Sequence, residues 1–500
     1  MRVASQQVEL RQSAFSAPPV RPLSYLEVRR IITGMMLAMF LAALNQTIVA
    51  TALPTIGRDF GDFENLPWVV TAYLLTSTAV APLYGKLSDI HGRRMMLLIG
   101  LALFTAGSVM CALSTNMIVL SLGRALQGIG GGGIMPLVQI VIADATTPRE
   151  RGRYQALIGA IWVSAGISGP LLGGFIAEHL PWPMIFWLNV PLGIVGAVMI
   201  NTALAKLPRH DRKHRLDLIG AVLMVIAAVA LLLALAWGGT RYSWMSPQIV
   251  LLFLACVVFT ALFAWQLRRA PEPFLPLPIL ADPVVRAGTM ASACAVGATL
   301  ALTIYLPLYF QVVHGLSAAV SGLALIPLVV MSTPGSILSG RALGHAEHYK
   351  RLPIAGLGCA IAAIGLLALW PTAPLWLVLI ALTIVSVGCG TTYPVCTVSV
   401  QNAVVPHQVG TATGVMNFFR ALISALEVAI LGAIVVAGFG VGVERGRGAE
   451  VVIQAANALG SDVSHVFGWM FATAGLFLAL GAAALLLMEE RPLRGPAAGT

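Results

Sequence analysis

Residues 206–237 read KLPRHDRKHRLDLIGAVLMVIAAVALLLALAW: a basic segment, Lys206–Arg215, runs straight into an apolar stretch, 216–237, whose one charge is Asp217. About twenty apolar residues coiled as a helix cross the hydrocarbon core of a bilayer. A helix apolar on every side is buried in a large core or in lipid. The alternation of charged loop and apolar run recurs outward in both directions. Spans are expected near 32–54, 67–87, 95–113, 118–142, 155–177, 184–204, 216–237 and 247–267. Six more are expected near 285–309, 319–340, 353–371, 374–400, 410–438 and 466–487. Composition agrees: the 500 residues are 58% hydrophobic and only 10% charged, against about a quarter charged in soluble domains. A larger soluble core cannot explain that deficit, because its surface would still need charge. The fold class is an all-α, polytopic membrane protein.

The net charge of +10 is not pooled in one patch, which argues against a nucleic-acid partner. With the N-terminus inside, 24 of the 30 Lys and Arg fall in inner segments. Four (Arg58, Arg241, Arg445, Arg447) fall in outer loops, and Arg124 and Arg420 lie inside spans. That asymmetry predicts a multi-pass protein of the inner (plasma) membrane with both termini cytoplasmic. The polar tail 1–31 has no apolar core of a cleavable signal and is expected to be disordered. The expected organisation is a six-helix bundle at 32–205, two further spans with linkers at 206–284, a second six-helix bundle at 285–488, and a cytoplasmic tail at 489–500. The outer groups echo each other. Leu53-Pro54 and Leu306-Pro307 each end a span, and Gly85 and Gly340-Arg341 each open a basic inner loop about 32 residues later. Parallel six-helix repeats are one way to build two halves around a central site.

Six cysteines lie in apolar runs with no Cys-x-x-Cys or Cys/His spacing, so neither metal nor disulfide is expected. A charge within a span costs about 2.5–3.5 kcal/mol near its centre and needs a reason. Three stand out away from the span ends: Arg124, Arg420 and Glu427. Glu427 follows Arg420 by seven positions, two turns along one helix face, so their side chains can converge directly or through water. Such a pair serves either as a structural tie or as a proton carrier. Arg124, in Gly123-Arg124-Ala125-Leu126-Gln127-Gly128, either snorkels to headgroups or faces a central cavity. The run 128–133 (GIGGGG) has no Gly-Lys-Ser/Thr after it and no strand before it, so it reads as close helix packing, not a phosphate loop. Gly166, Gly169, Pro170, Gly173 and Gly174 read as tight packing with a bend. In 85–94 (GKLSDIHGRR), two glycines allow a sharp turn and Asp89 suits a helix start.

Together these motifs resemble the major facilitator superfamily, specifically its fourteen-helix drug:proton antiporter group. The resemblance runs from Leu44–Pro54 to Met488–Arg494 through 186–191 (FWLNVP), 237–239 (WGG), 305–309 (YLPLY) and 418–420 (FFR). It implies two six-helix bundles plus two extra central helices, and a multidrug-efflux antiporter that confers drug resistance. Gly85, Asp89, Gly92, Arg93 and Arg94 would form a conformational latch. Arg124 would take part in proton coupling, and Gly169, Pro170, Gly173 and Gly174 would form the antiporter helix bend. Two departures stand out: Asn45 replaces the usual first-span aspartate, and Glu427 interrupts a normally glycine-rich stretch. The expectation is that coupling has moved to Glu427, with Arg124 and Arg420.

The resulting expectation is a secondary transporter exporting amphipathic organic compounds in exchange for protons. Its partners would be the lipid bilayer, small amphipathic substrates and protons, with a periplasmic adaptor left open. The proton gradient would be its energy source, with no cofactor. Asn45, Gln127, Gln139, Trp162, Tyr305, Gln311, Tyr393 and Asn417 are the expected cavity residues. The alternative is an uncoupled facilitator or an exporter of one metabolite, because Asn45 cannot titrate. An enzyme would need a catalytic cluster or a soluble domain, and a sensor an appended signalling domain. The sequence offers none of these.

Overall fold

The structure is a computed structural model describing residues 25–62, 65–204, 217–239, 241–271, 273, 275, 277–345, 348–438 and 464–493. The tail before residue 25, the whole 206–215 linker, the outer stretch 439–463 with Arg445 and Arg447, and residues 494–500 lie outside them. The helices in chain order are α1 (Tyr25–Phe60), α2 (Trp68–His91), α3 (Arg93–Ala112), α4 (Met117–Ala145) and α5 (Pro148–His179). The sixth, α6, is split into Met184–Trp187 and Asn189–Ala203. Next come α7 (Leu218–Trp237), α8 (Pro247–Arg269) and α9 (Pro283–His314). A three-piece α10 (Ala318–Leu323, Ile326–Val330, Ser332–His345) precedes α11 (Arg351–Leu369), α12 (Leu375–Ala403), α13 (Val409–Gly438) and α14 (Ser464–Leu487). Among the described residues, 13 helices are long and apolar enough to cross a membrane. The remaining span, α2, has the length at 24 residues but is diluted by Thr, Ser and Tyr.

Local chemistry sets the helix starts. Asp217, the lone charge of the apolar stretch 216–237, accepts from the Gly220 amide at 2.9 Å and caps α7. Asn116 caps α4 through Val119 at 2.9 Å, and Asp282 caps α9 through Val284 at 2.8 Å. Thr147 and Glu150 form a capping box on α5. Each satisfies a first-turn donor that helix geometry leaves unpaired. Two expectations need correction. Pro54 and Pro307 do not end spans; α1 and α9 run on to Phe60 and His314, because neighbouring helices can support a turn that has lost one amide. The expected span at 319–340 is present as Val320–Gly344, but its helix is interrupted around Ala324-Leu325 and Met331, and Pro327 falls at the start of its middle piece.

Packing inverts the soluble pattern. Asn45, Arg124, Gln127, Gln139, Gln401 and Glu427 are buried, while Leu171, Phe175, Leu251, Val257 and Trp469 are exposed. Exposed apolar surface on this scale marks a lipid face. One apolar core runs through α9–α14, and two others lie within α1–α6. The inserted α7 sets Ala221, Met224 and Ala228 against Leu83 of α2 and Val415, Phe418 and Leu422 of α13. It thus covers the α2–α13 seam. On α8, by contrast, only Ile249 and Leu267 are buried. The glycine run on α4 is packing, as its sequence suggests: a Cβ on Gly130 would stand 2.8 Å from Phe104 Cα of α3. After α14, Arg491 pairs with Asp282 at 2.8 Å and accepts from Tyr349 through its carbonyl at 2.9 Å. The beginning of the expected tail is therefore tied down.

Candidate functional site

In the first bundle, Arg124 is buried and its Nε donates to the Val69 carbonyl at 2.7 Å. Its Nη1 donates to Gln127 Oε1 at 2.5 Å, and its guanidinium lies 4.5 Å from the Tyr73 ring centroid. Gln127 donates onward to Asn45 Oδ1 at 3.0 Å and to Ser108 at 2.7 Å, and Asn189 donates to the same Asn45 oxygen at 3.1 Å. Arg124 therefore does not snorkel. It holds a buried network without a carboxylate, stabilised by neutral acceptors and a cation–π contact.

In the second bundle, Arg420 donates to Ser292 at 2.9 Å and to Thr397 at 3.0 Å. Glu427 is fully buried, and neither carboxylate oxygen has a hydrogen-bond partner. No direct hydrogen bond joins Arg420 to Glu427. Arg420 is held instead by hydroxyls of α9 and α12. The Glu427 carboxyl fills a notch left by Gly297, where a Cβ would lie 2.5 Å from its Cδ. Cys294, Cys389 and Tyr393 lie within its electrostatic reach. Thr413, Asn417, Arg420, Ser424 and Glu427 recur at intervals of four, three, four and three. They form one polar stripe along α13.

The bundles meet at the end that carries Lys86, Arg93 and Arg153. Asp89 Oδ1 pairs with Arg93 at 2.5 Å, and its Oδ2 accepts from the Thr411 amide and hydroxyl of α13, each at 2.9 Å. Arg93 also reaches Asp144 at 2.9 Å, and Arg94 donates to Asn201 at 2.6 Å. Gly92 makes the turn at φ +89°, a conformation that favours glycine. Gly85 lets α2 cross α13, since a Cβ there would stand 2.5 Å from the Gly410 carbonyl oxygen. A second crossing mirrors it: a Cβ on Gly152 of α5 would stand 2.6 Å from the Gly340 oxygen of α10. Pro148 and Gly152 repeat as Pro406 and Gly410, a match that extends the echo noted between Gly85 and Gly340. The mirror crossing has Gly344 where the first has Asp89, so only one of them carries the acid. Asp89→Ala should cost the joined arrangement about 1.5–3 kcal/mol, the range for a hydrogen bond to a charged group. Spin-label distances between the basic ends of α2 and α13 should then broaden to longer values.

The expected cavity residues divide into groups. Asn45 and Gln127 belong to the Arg124 network and are closed off rather than lining open space. Asn417 donates to Gln139 Oε1 at 2.8 Å across the two bundles. Tyr305 donates to the Val428 carbonyl at 3.1 Å, Tyr393 lies 3.3 Å from Thr299 Oγ1, and Gln311 bonds to Pro307 of its own helix at 3.2 Å. Trp162 packs beside Ala43, Leu44 and Ala165. Gly169 and Gly173 press α5 against Thr47 and Ile48 of α1, while Gly174 faces open space. The helix stays continuous through Pro170. Sequence reading missed Asn189, Ser292, Thr397 and Thr411. Asn189, Ser292 and Thr411 sit more than a hundred residues from the groups they serve, and Thr397 lies 23 residues before Arg420 on another helix; Asn189 alone had the signal of a polar residue inside an apolar motif.

Two helical bundles with buried polar networks, joined at one end, define a membrane transporter of the two-bundle class. Residues 35–426 match the Major Facilitator Superfamily, and the chain belongs to that family, whose members are transporters rather than enzymes. It is 36% identical over 414 residues to an uncharacterized MFS-type transporter of Mycobacterium tuberculosis, spanning 82% of this chain and 60% of that protein's length. It is 34% identical over 406 residues to the multidrug transporter protein MdtP of Bacillus subtilis, spanning 81% of this chain and 74% of that one. Its fold is similar to that of the human organic anion transporter MFSD10, with a TM-score of 0.62 at 18% identity, covering 92% of this chain and 100% of that one.

Proposed function

We propose that this protein exports amphipathic organic compounds by alternating access in exchange for protons, with Glu427 as the exchanging acid. The observation that carries this reading is a buried carboxyl with no hydrogen-bond partner at the middle of α13. A group so placed gains from a proton in one arrangement and from water or substrate in another. One proton per cycle is the simplest stoichiometry, since Glu427 is the one carboxylate well inside a described span. The basic end is cytoplasmic by the positive-inside rule, so the joined bundles face outward, and the membrane is the cell's inner membrane. Drug export is favoured by the multidrug transporter among the relatives. The second reading, an uncoupled facilitator or an exporter of one metabolite, is favoured by Asn45, which lies in a network without a carboxylate.

A susceptibility and efflux screen in a drug-sensitised host separates the two. Glu427→Gln should remove resistance to several unrelated compounds, while wild type and Asn45→Asp retain it. Asn45→Asp should in addition make efflux more steeply dependent on the pH gradient, because it places a second acid beside Gln127 and Arg124. Resistance confined to one compound, insensitive to the gradient in all three proteins, would favour the second reading.

A further inference from the structure

The polar stripe on α13 has a crossing point that the transport reading does not use. Gln139 of α4, from the first bundle, accepts from Asn417 Nδ2 at 2.8 Å through its side chain. Its backbone carbonyl accepts from Gln401 of α12 at 3.4 Å, and Gln401 also donates to Thr413 of α13 at 3.2 Å. Gln139 and Gln401 are buried. The bridge joins three helices across the interface of the bundles. Along α13 it lies between Thr411, which the latch holds, and Arg420, Ser424 and Glu427 further in. Neutral amides are suited to such a place: they specify one register yet cost little to separate, because water replaces each bond when the bundles part.

We propose that Gln139, Gln401 and Asn417 form an inner gate, one turn to two turns deeper than the Asp89 latch, which closes the stripe leading to Glu427 from the basic end. Gln139 and Asn417 then position the helices and do not contact substrate. The inference rests on the alternating-access reading but not on proton coupling. Ser424, one turn from Glu427 with its hydroxyl buried and unpartnered, is the reporter position.

Ser424→Cys is placed in the full chain and reacted, in vesicles of each orientation, with a membrane-impermeant thiol reagent; modification is read by mass on the peptide containing residue 424. With the bridge intact, reaction from the basic end is slow. Asn417→Leu and Gln139→Leu should each raise it roughly five-fold, the population shift expected from losing one buried neutral hydrogen bond. The double exchange Gln139→Asn with Asn417→Gln retains an amide pair and should restore protection. Substrate affinity measured on the opposite face should stay within two-fold of wild type, on the order expected where no contact is lost. Unchanged labelling in both leucine variants overturns the gate, and so does a loss of affinity without altered labelling, which would make the pair substrate contacts. Proton release by the wild-type protein is followed in parallel. If that release fails while labelling behaves as stated, the coupling reading falls and the gate stands.

Discussion

Glu427→Gln vesicles challenged with a transported drug should release no protons above background, while drug binding to the detergent-solubilised protein persists. Glutamine keeps the volume that fills the Gly297 notch but cannot exchange a proton, so the substitution separates chemistry from packing. The expected effect is large because an ionised carboxylate held in an apolar interior costs several kcal/mol. Its charge must therefore be timed to an arrangement that supplies water or a cation. Glu427→Asp should give partial release, since the shorter side chain withdraws from the notch. Gly297→Ala gives an independent check: its methyl group would collide with the carboxyl, displacing the acid without removing it. Undiminished drug-driven release from Glu427→Gln would falsify the coupling role.

Gly152→Val should hold the basic end open and reduce transport roughly ten- to hundred-fold, from about 1–3 kcal/mol of overpacking in the joined state. The group opposite Gly152 is the Gly340 backbone, which cannot rotate aside as a side chain can. Gly340→Val should act alike, and the two effects should not add, because either methyl pair already prevents the crossing. Gly358→Val is the control: nothing lies within 4 Å of a Cβ at that position, and transport should be unchanged. Spin-label distances across α5 and α10 report the displacement directly. Normal distances with reduced transport in Gly152→Val would place the defect elsewhere.

Much of the helix layout was legible because lipid imposes a length and a composition on each span. The long apolar runs, the charged turns and Asp217 at the head of α7 all follow from that one constraint. The breaks in α10 were not legible, since Pro327 in an apolar run is compatible with either a kink or a stop. Arg124, Arg420 and Glu427 stood out as charges where charge is costly. Their partners did not: Ser292 and Thr397 are ordinary hydroxyls in membrane helices, and only folding brings them to Arg420. The Arg420–Glu427 pair shows the limit of spacing arguments. Seven residues put two side chains on one face, but helices from elsewhere decide which neighbour each one meets. The 4-3-4-3 polar stripe on α13 was fully visible in the sequence and needed only to be counted past those two charges.

The inserted α7 makes the molecule's two flanks unequal. On one flank, acyl chains meet α7 before they can reach the α2–α13 crossing; on the other, no described helix is inserted over the α5–α10 crossing. Membrane thickness and lateral pressure therefore bear on the glycine joint at Gly152 and Gly340 directly, and on its counterpart at Gly85 and Gly410 only through a buffer. Under the alternating-access proposal, the two glycine crossings would then be hinged unequally by their solvent.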